Sequence, residues 1–164
     1  MKALTILQPY AGFVLTGEKC IETRGWNTNV RGRIAIHAGV SETYLKDWPR
    51  MSLHWACNAT GCILGTVEIV DCIPLDRIAE RGYLNLATEK ERRLGDWSNG
   101  RYGFIMRNPI LFPHPIAAKG KQGWWNWELR CEKIDCTPPF GIKEDCELYH
   151  NGLCAHLEKE EPAK

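Results

Sequence analysis

The chain has 164 residues, 44% of them hydrophobic and 25% charged, which is enough for one hydrophobic core and too little for two. Its net charge of +1 excludes the strong basic excess of a dedicated duplex binder, and no apolar run reaches the roughly 20 residues that a bilayer span requires. The sum hides an asymmetry, because residues 1–130 hold 17 Lys and Arg against 12 Asp and Glu, whereas residues 131–164 hold 4 against 8.

Met1-Lys2-Ala3-Leu4 lacks the long apolar core of a secretion signal, so a cytoplasmic location is expected, with the eight cysteines as free thiols or metal ligands rather than disulfides. Lys2 to Leu7 reads as a short strand. Gln8 then leads into Pro9 at the first turn of a helix that carries Phe13, Val14 and Leu15 and stops at Gly17. From Gly17 to Trp26 the chain gathers Lys19, Glu22 and Arg24 within six positions of an expected strand. Alternation places Glu22 and Arg24 on one face with Cys20, and Lys19, Ile21 and Thr23 on the other. Charge this dense is costly to bury. It suits a solvated sheet edge or the floor of a polar cleft, and the cleft is the expectation adopted, since coupled ionisable groups gather in such places.

Arg31 to His37 alternates, with Ile34 and Ile36 on one face, as a half-buried strand does. Ser41 is a good cap for a helix running towards Pro49. Cys62 to Ile73 is the strongest strand in the chain, and Glu68 is the only charge between Cys62 and Asp71. Flanked by Val67, Ile69 and Val70, its carboxyl is expected to be partly desolvated and to hold its proton more tightly unless a cation sits beside it. Glu80 to Arg93 reads as an amphipathic helix with a solvated face. Tyr102 to Met106 and Ile110 to Ile116 are strands interrupted by prolines, and Trp125, Trp127 and Leu129 alternate on a final strand. These elements define an α+β chain: a small, mostly antiparallel β-barrel with two to three helices.

Residues 131–164 differ from the rest. Cys131-x4-Cys136-x9-Cys146-x7-Cys154, with His150 and His156 interleaved, occurs in a segment with little apolar content. Cys131, Cys136, Cys146 and Cys154 could hold one structural zinc, although the tight Cys-x2-Cys knuckles of common zinc modules are absent. Disulfides are the alternative in an oxidising setting, and loose thiols are the plain one. The expected organisation is a folded domain over 1–130 and a Cys-rich acidic extension over 131–164.

Five stretches, in order and spacing, carry a family resemblance: Leu7-Gln8-Pro9-Tyr10-Ala11; Gly17-x-Lys19-x-x-Glu22-x-Arg24-x-Trp26-x-Thr28; Arg31-Gly32-Arg33-x-x-Ile36-His37-Ala38; Gly65-Thr66-Val67-Glu68; and Pro115-Ile116-x-x-Lys119-Gly120-Lys121-Gln122-Gly123-Trp124. Over roughly residues 2–129 the chain resembles the ASCH family, whose members share a pseudouridine-synthase-and-archaeosine-transglycosylase (PUA)-like β-barrel. The resemblance implies a cleft between the first helix and the barrel, lined by the Gly-x-Lys-x-x-Glu-x-Arg segment and binding RNA or a modified nucleoside. One branch of the family hydrolyses the amide of acetylcytidine with a lysine, a threonine and a glutamate. Lys19 matches that lysine and Glu68 that glutamate, while the threonine position falls on Glu22. Transcription coactivation is implied by the family's name alone.

For hydrolysis of a nucleobase amide or an RNA phosphodiester, the candidate catalytic residues are Lys19, Glu22 and Glu68. A nucleophilic Lys19 must lose its proton, which Glu22 and Glu68 oppose; alternatively, Glu68 is the general base while Lys19 and Arg24 stabilise an oxyanion. For binding, Arg24 and Arg31 are phosphate partners, and Tyr10, Trp26 and Trp124 are platforms on which an unpaired base stacks. His37 serves as a phosphate contact or a packed core histidine. Lys119 and Lys121 flank glycines that let a ligand approach the backbone, or form an exposed turn. RNA or a modified nucleoside is thus the expected partner, without a membrane, and hydrolysis is the alternative to plain binding.

Overall fold

The computed structural model describes residues 1–49 and 53–128. Six strands, β1 (Lys2–Ile6), β2 (Ile21–Arg24), β3 (Gly32–Ala38), β4 (Cys62–Pro74), β5 (Tyr102–Ala117) and β6 (Trp124–Asn126), are joined by two short α-helices, α1 (Tyr10–Leu15) and α2 (Glu89–Arg93), and by single 3-10 turns. They form one sheet in the order β2-β5-β4-β3-β1-β6, with β1 and β3 parallel and every other pair antiparallel. Met1–Asn126 make up one compact unit.

The expected barrel is a curled half-barrel, with β2 and β6 at its edges. Curling encloses one core cluster that includes Leu4, Ile6, Val14, Ile34, Ile36, Leu64, Val67 and Phe104, with α1 packed into it. A second cluster gathers Ile21, Ile73, Leu75, Ile78 and Ile105. Helix α1 comes so close to the 3-10 turn Trp55–Cys57 that a Cβ on Gly12 would stand 2.5 Å from the Cα of Cys57. Bridging the opening of the half-barrel, Arg24 Nη2 on β2 donates to the carbonyl oxygen of Thr5 on β1 at 2.8 Å.

Three expected elements differ. The helix after Ser41 is only a 3-10 turn, Leu45–Asp47, because Ser41 Oγ bonds the Thr43 hydroxyl at 2.7 Å in a local turn instead of capping a helix. Within the expected helix 80–93, Gly82 takes φ +78, so only α2 is α-helical, capped by Thr88 Oγ1 accepting from Glu91 N at 3.1 Å. Its face is not wholly solvated, since Glu91 is buried. The two proline-broken strands are one 16-residue strand, β5, which absorbs the irregularity through register shifts against β4 and the positive φ of Asn108. Pro113 and Pro115 lie exposed in its far half. Trp125 is buried on β6, while Trp127 falls outside Met1–Asn126 and Leu129 outside the described residues. The boundary expected at 130/131 and Cys131, Cys136, Cys146 and Cys154 also lie outside the described residues.

Candidate functional site

Helix α1 ends at Gly17, whose positive φ turns the chain so that Lys19 N can bond Phe13 O at 2.9 Å and the Lys19 side chain can enter the protein. That side chain is only 1% exposed. Its ammonium donates to the carbonyl oxygens of Ile21 at 2.5 Å and Leu94 at 2.9 Å, and stands 3.6 Å from Glu22 and 3.9 Å from Glu91. A buried cation persists only with such compensation. Gly95 lies directly above it, where a Cβ would approach Nζ to 3.4 Å. Glu91 reaches across from α2 and accepts from the backbone N–H groups of Cys20 and Ile21, at 3.1 and 2.8 Å, so it fixes the start of β2 as well as the cation. Burial, and then Glu91, push the Cys20 thiol up to about 11, which keeps it protonated and inert. Glu91 was not singled out in the sequence; the available signal was Thr88-x-x-Glu91, a helix-start pattern.

Above this floor lies a cavity of about 410 Å³ whose walls include Leu7, Tyr10, Glu22, Arg24, Tyr44, Arg93, Leu94, Asp96 and Arg101. Glu22 is held by Arg24 at 3.1 Å, and Arg24 is anchored in turn on Thr5 O. Arg101 pairs with Asp96 at 3.1 Å and donates to Thr23 O at 3.1 Å, while Asp96 N donates to Thr23 Oγ1 at 3.1 Å. The loop over 95–101 is therefore pinned to β2. Tyr10 meets Tyr44 edge-on, ring centroids 5.6 Å apart. Burial, with Tyr44, Asp47 and Glu22 adding to it, pushes the Tyr10 hydroxyl up, so it remains a hydrogen-bond donor at neutral pH. The cavity thus offers two fixed carboxylate acceptors, Glu22 and Asp96, with hydroxyl donors, guanidinium groups and two aromatic rings. Such a set suits a planar, polar molecule with both donors and acceptors on its edge.

Of the sequence candidates, Glu22, Arg24 and Tyr10 meet in this cavity, and Lys19 lies beneath its floor. Glu68 is not among its walls. It faces Arg33 in register across β3 and β4, with Oε1 accepting from Arg33 at 2.8 Å and Oε2 from Asn108 at 2.8 Å. Asn108 and Arg33 hold its carboxyl below the ordinary range and outweigh desolvation. The cation that the sequence reading left conditional is Arg33. Arg31 pairs with Asp71 at 2.9 Å, and Arg81 shares the same carboxylate at 3.2 Å. Trp26 packs edge-on against Phe104 and Trp124, and the latter two rings are stacked 6.0 Å apart against the core. His37 is buried, with Nε2 bonded to Ala118 O at 3.0 Å, and Gly120 packs so tightly on its ring that a Cβ there would come within 2.3 Å. Lys119 and Lys121 are exposed on that same segment, which is tied down by Thr5 Oγ1 donating to Lys121 O at 2.8 Å. Tyr44, Arg93, Asp96 and Arg101 were missed, because they come from α2 and from separate turns and loops that only the sheet order brings together. Among the described residues no group of three His, Cys, Asp or Glu could hold a metal, Cys20, Cys57, Cys62 and Cys72 are free, and no helix is long and apolar enough to cross a membrane.

A charged, aromatic hollow lies beside the first helix of the curled sheet. The chain belongs to the ASCH domain family, whose model matches residues 4–108. It is similar to human Activating signal cointegrator 1, at 24% identity over 138 residues, covering 77% of this chain and 22% of that protein. The mouse protein of the same name is also 24% identical, over 148 residues, with the same shares covered. The chain therefore spans 22% of the length of these relatives. Among solved structures, an ASCH protein from Zymomonas mobilis is 14% identical, with a TM-score of 0.45, covering 71% of this chain and 72% of that one. A mutant of it is 15% identical at the same TM-score, covering 71% and 74%.

Proposed function

We propose that this ASCH domain binds RNA or a modified nucleoside in the cavity above Lys19. The observation that carries the reading is the convergence, on one hollow of about 410 Å³, of two carboxylates, three guanidinium groups and two tyrosine rings. A nucleobase edge needs an acceptor and donors at fixed places, its face needs a ring, and its phosphate needs a cation. Binding is favoured over hydrolysis because the Lys19 ammonium is engaged by backbone carbonyls and Glu68 is committed to Arg33 and Asn108.

The test is equilibrium binding of a random-sequence single-stranded RNA pool and of acetylcytidine, with product analysis alongside. RNA affinity is expected to fall as salt rises and to drop about tenfold in Tyr44→Ala, the value of one lost stacking contact. No product is expected. Turnover that Glu68→Gln abolishes, with binding retained, would establish the hydrolase instead, and absence of any binding would remove the proposal.

A further inference from the structure

A second hollow of about 470 Å³ adjoins the first, and Arg93 and Leu94 belong to the walls of both. Phe13, Trp48, Leu53 and Lys90 also line it. The rings of the two hollows are connected edge to edge: Tyr44 to Tyr10 at 5.6 Å, Tyr10 to Phe13 at 6.5 Å, and Phe13 to Trp48 at 5.0 Å. Arg93 of α2 stands at the junction, and Lys90 of α2 lines the second hollow with Glu18 and Glu89. The Arg93 side chain is 76% exposed and paired with Glu89, and that of Lys90 is 64% exposed and paired with Glu18 at 3.4 Å. Exposed pairs of this kind contribute little, so a phosphate can displace their carboxylates. Arg24 and Arg101, by contrast, are committed to β1, β2 and the loop over 95–101.

Aromatic surfaces on either side of an exposed cation, held only by a solvated ion pair, repeat the order base, phosphate, base. We infer that the ligand is an RNA strand at least two nucleotides long, one base above Glu22, the next against Trp48, and the phosphodiester between them on Arg93. This rests on the nucleotide-binding reading above and narrows it: a free nucleoside would occupy the first hollow and leave the second, with its ring and cations, unused. Successive rings with intervening cations are how proteins grip single strands without reading every base.

The experiment measures the affinity of the intact chain for cytidine 5′-monophosphate, for a random-sequence RNA dinucleotide and for a random-sequence RNA tetranucleotide. Stacking of a second base predicts at least a roughly fivefold gain from mononucleotide to dinucleotide. Trp48→Ala is expected to erase that gain, and Arg93→Gln to reduce it and to flatten the salt dependence by about one phosphate contact. Melting of each variant is recorded, and should Trp48→Ala unfold, Arg93→Gln on the exposed face of α2 decides alone. Equal affinity for all three probes overturns the second subsite while leaving the first-hollow reading intact. A gain with length that both variants retain also overturns it. Failure of every probe to bind removes both readings together.

Discussion

At the scale of single residues, Lys19 is a floor support whose charge is neutralised from below. Removing it would leave the buried Glu91 without its cation and Glu22 with Arg24 alone, so Lys19→Ala is expected to lower stability by about 3–5 kcal/mol, read from urea unfolding. An affinity loss in that variant therefore reports folding, and Tyr44, 44% exposed, is the cleaner probe of binding. His37 supplies a pH dependence. Burial pushes its pKa below 6.5, with the Ala118 carbonyl only partly opposing this, and its Nδ1 has no hydrogen-bond partner among the described residues. The unfolded chain then binds the extra proton, so stability is full above about pH 6.5 and falls as pH drops below it, with a slope of at most about 1.4 kcal/mol per pH unit for one site. His37→Gln, which keeps a donor for Ala118 O, should flatten melting temperature against pH between about pH 5 and 7. The lowered carboxyls of Glu68, Asp71 and Asp96 act in a separate, more acidic window, where stability is lost as they protonate. Glu22 and Arg24 were legible as a pair because alternation holds inside β2. Lys19 was not, since it precedes the strand and its flexible stem curls back to Glu22.

At the scale of elements, α2 is one and a half turns long and too short to be stable alone. What holds it is Glu91, whose carboxylate accepts from two backbone amides of the strand it faces. Glu91→Gln keeps the size but weakens both bonds and removes a charge from Lys19. It is expected to cost about 1–3 kcal/mol, seen as a lowered urea midpoint and faster amide exchange at Cys20 and Ile21. Strand positions were readable from local patterns, since β1, β3 and β4 are apolar or alternating runs. The helices after Ser41 and Glu80 were overestimated, because a capping residue and a charge pattern describe what a helix prefers, whereas Gly82 and the Ser41–Thr43 turn decide where the backbone goes. β5 was split by its prolines, because a strand that bends through register shifts tolerates them and the sequence shows only the interruption.

At the scale of the whole molecule, the sheet order places β2 beside β5 and β1 beside β3, so the cavity's walls come from segments far apart in the chain. No local motif contains that information, which explains why Arg101 and Tyr44 could not be foreseen and Glu68 was assigned to the wrong neighbourhood. Curling leaves the edge strand β2 opposite β1, and Arg24 spans the gap with one bond to each side. Both contacts leave from one nitrogen, Nη2, which is held in place by a planar guanidinium that a lysine lacks. Arg24→Lys should therefore lower the melting temperature by about 5 °C, what about 1 kcal/mol produces in a domain of this size, and should selectively deprotect β2 in hydrogen exchange.

That clasp also constrains how such a protein can diversify. A position that secures the architecture while lining the cavity has little freedom to vary, because each exchange tried for a new preference first loosens the walls. Descendants that acquire different tastes are expected to retain arginine at 24 and to change at 44, 48 and 93 on the rim, a pattern that a saturation library sorted separately for folding and for capture would display.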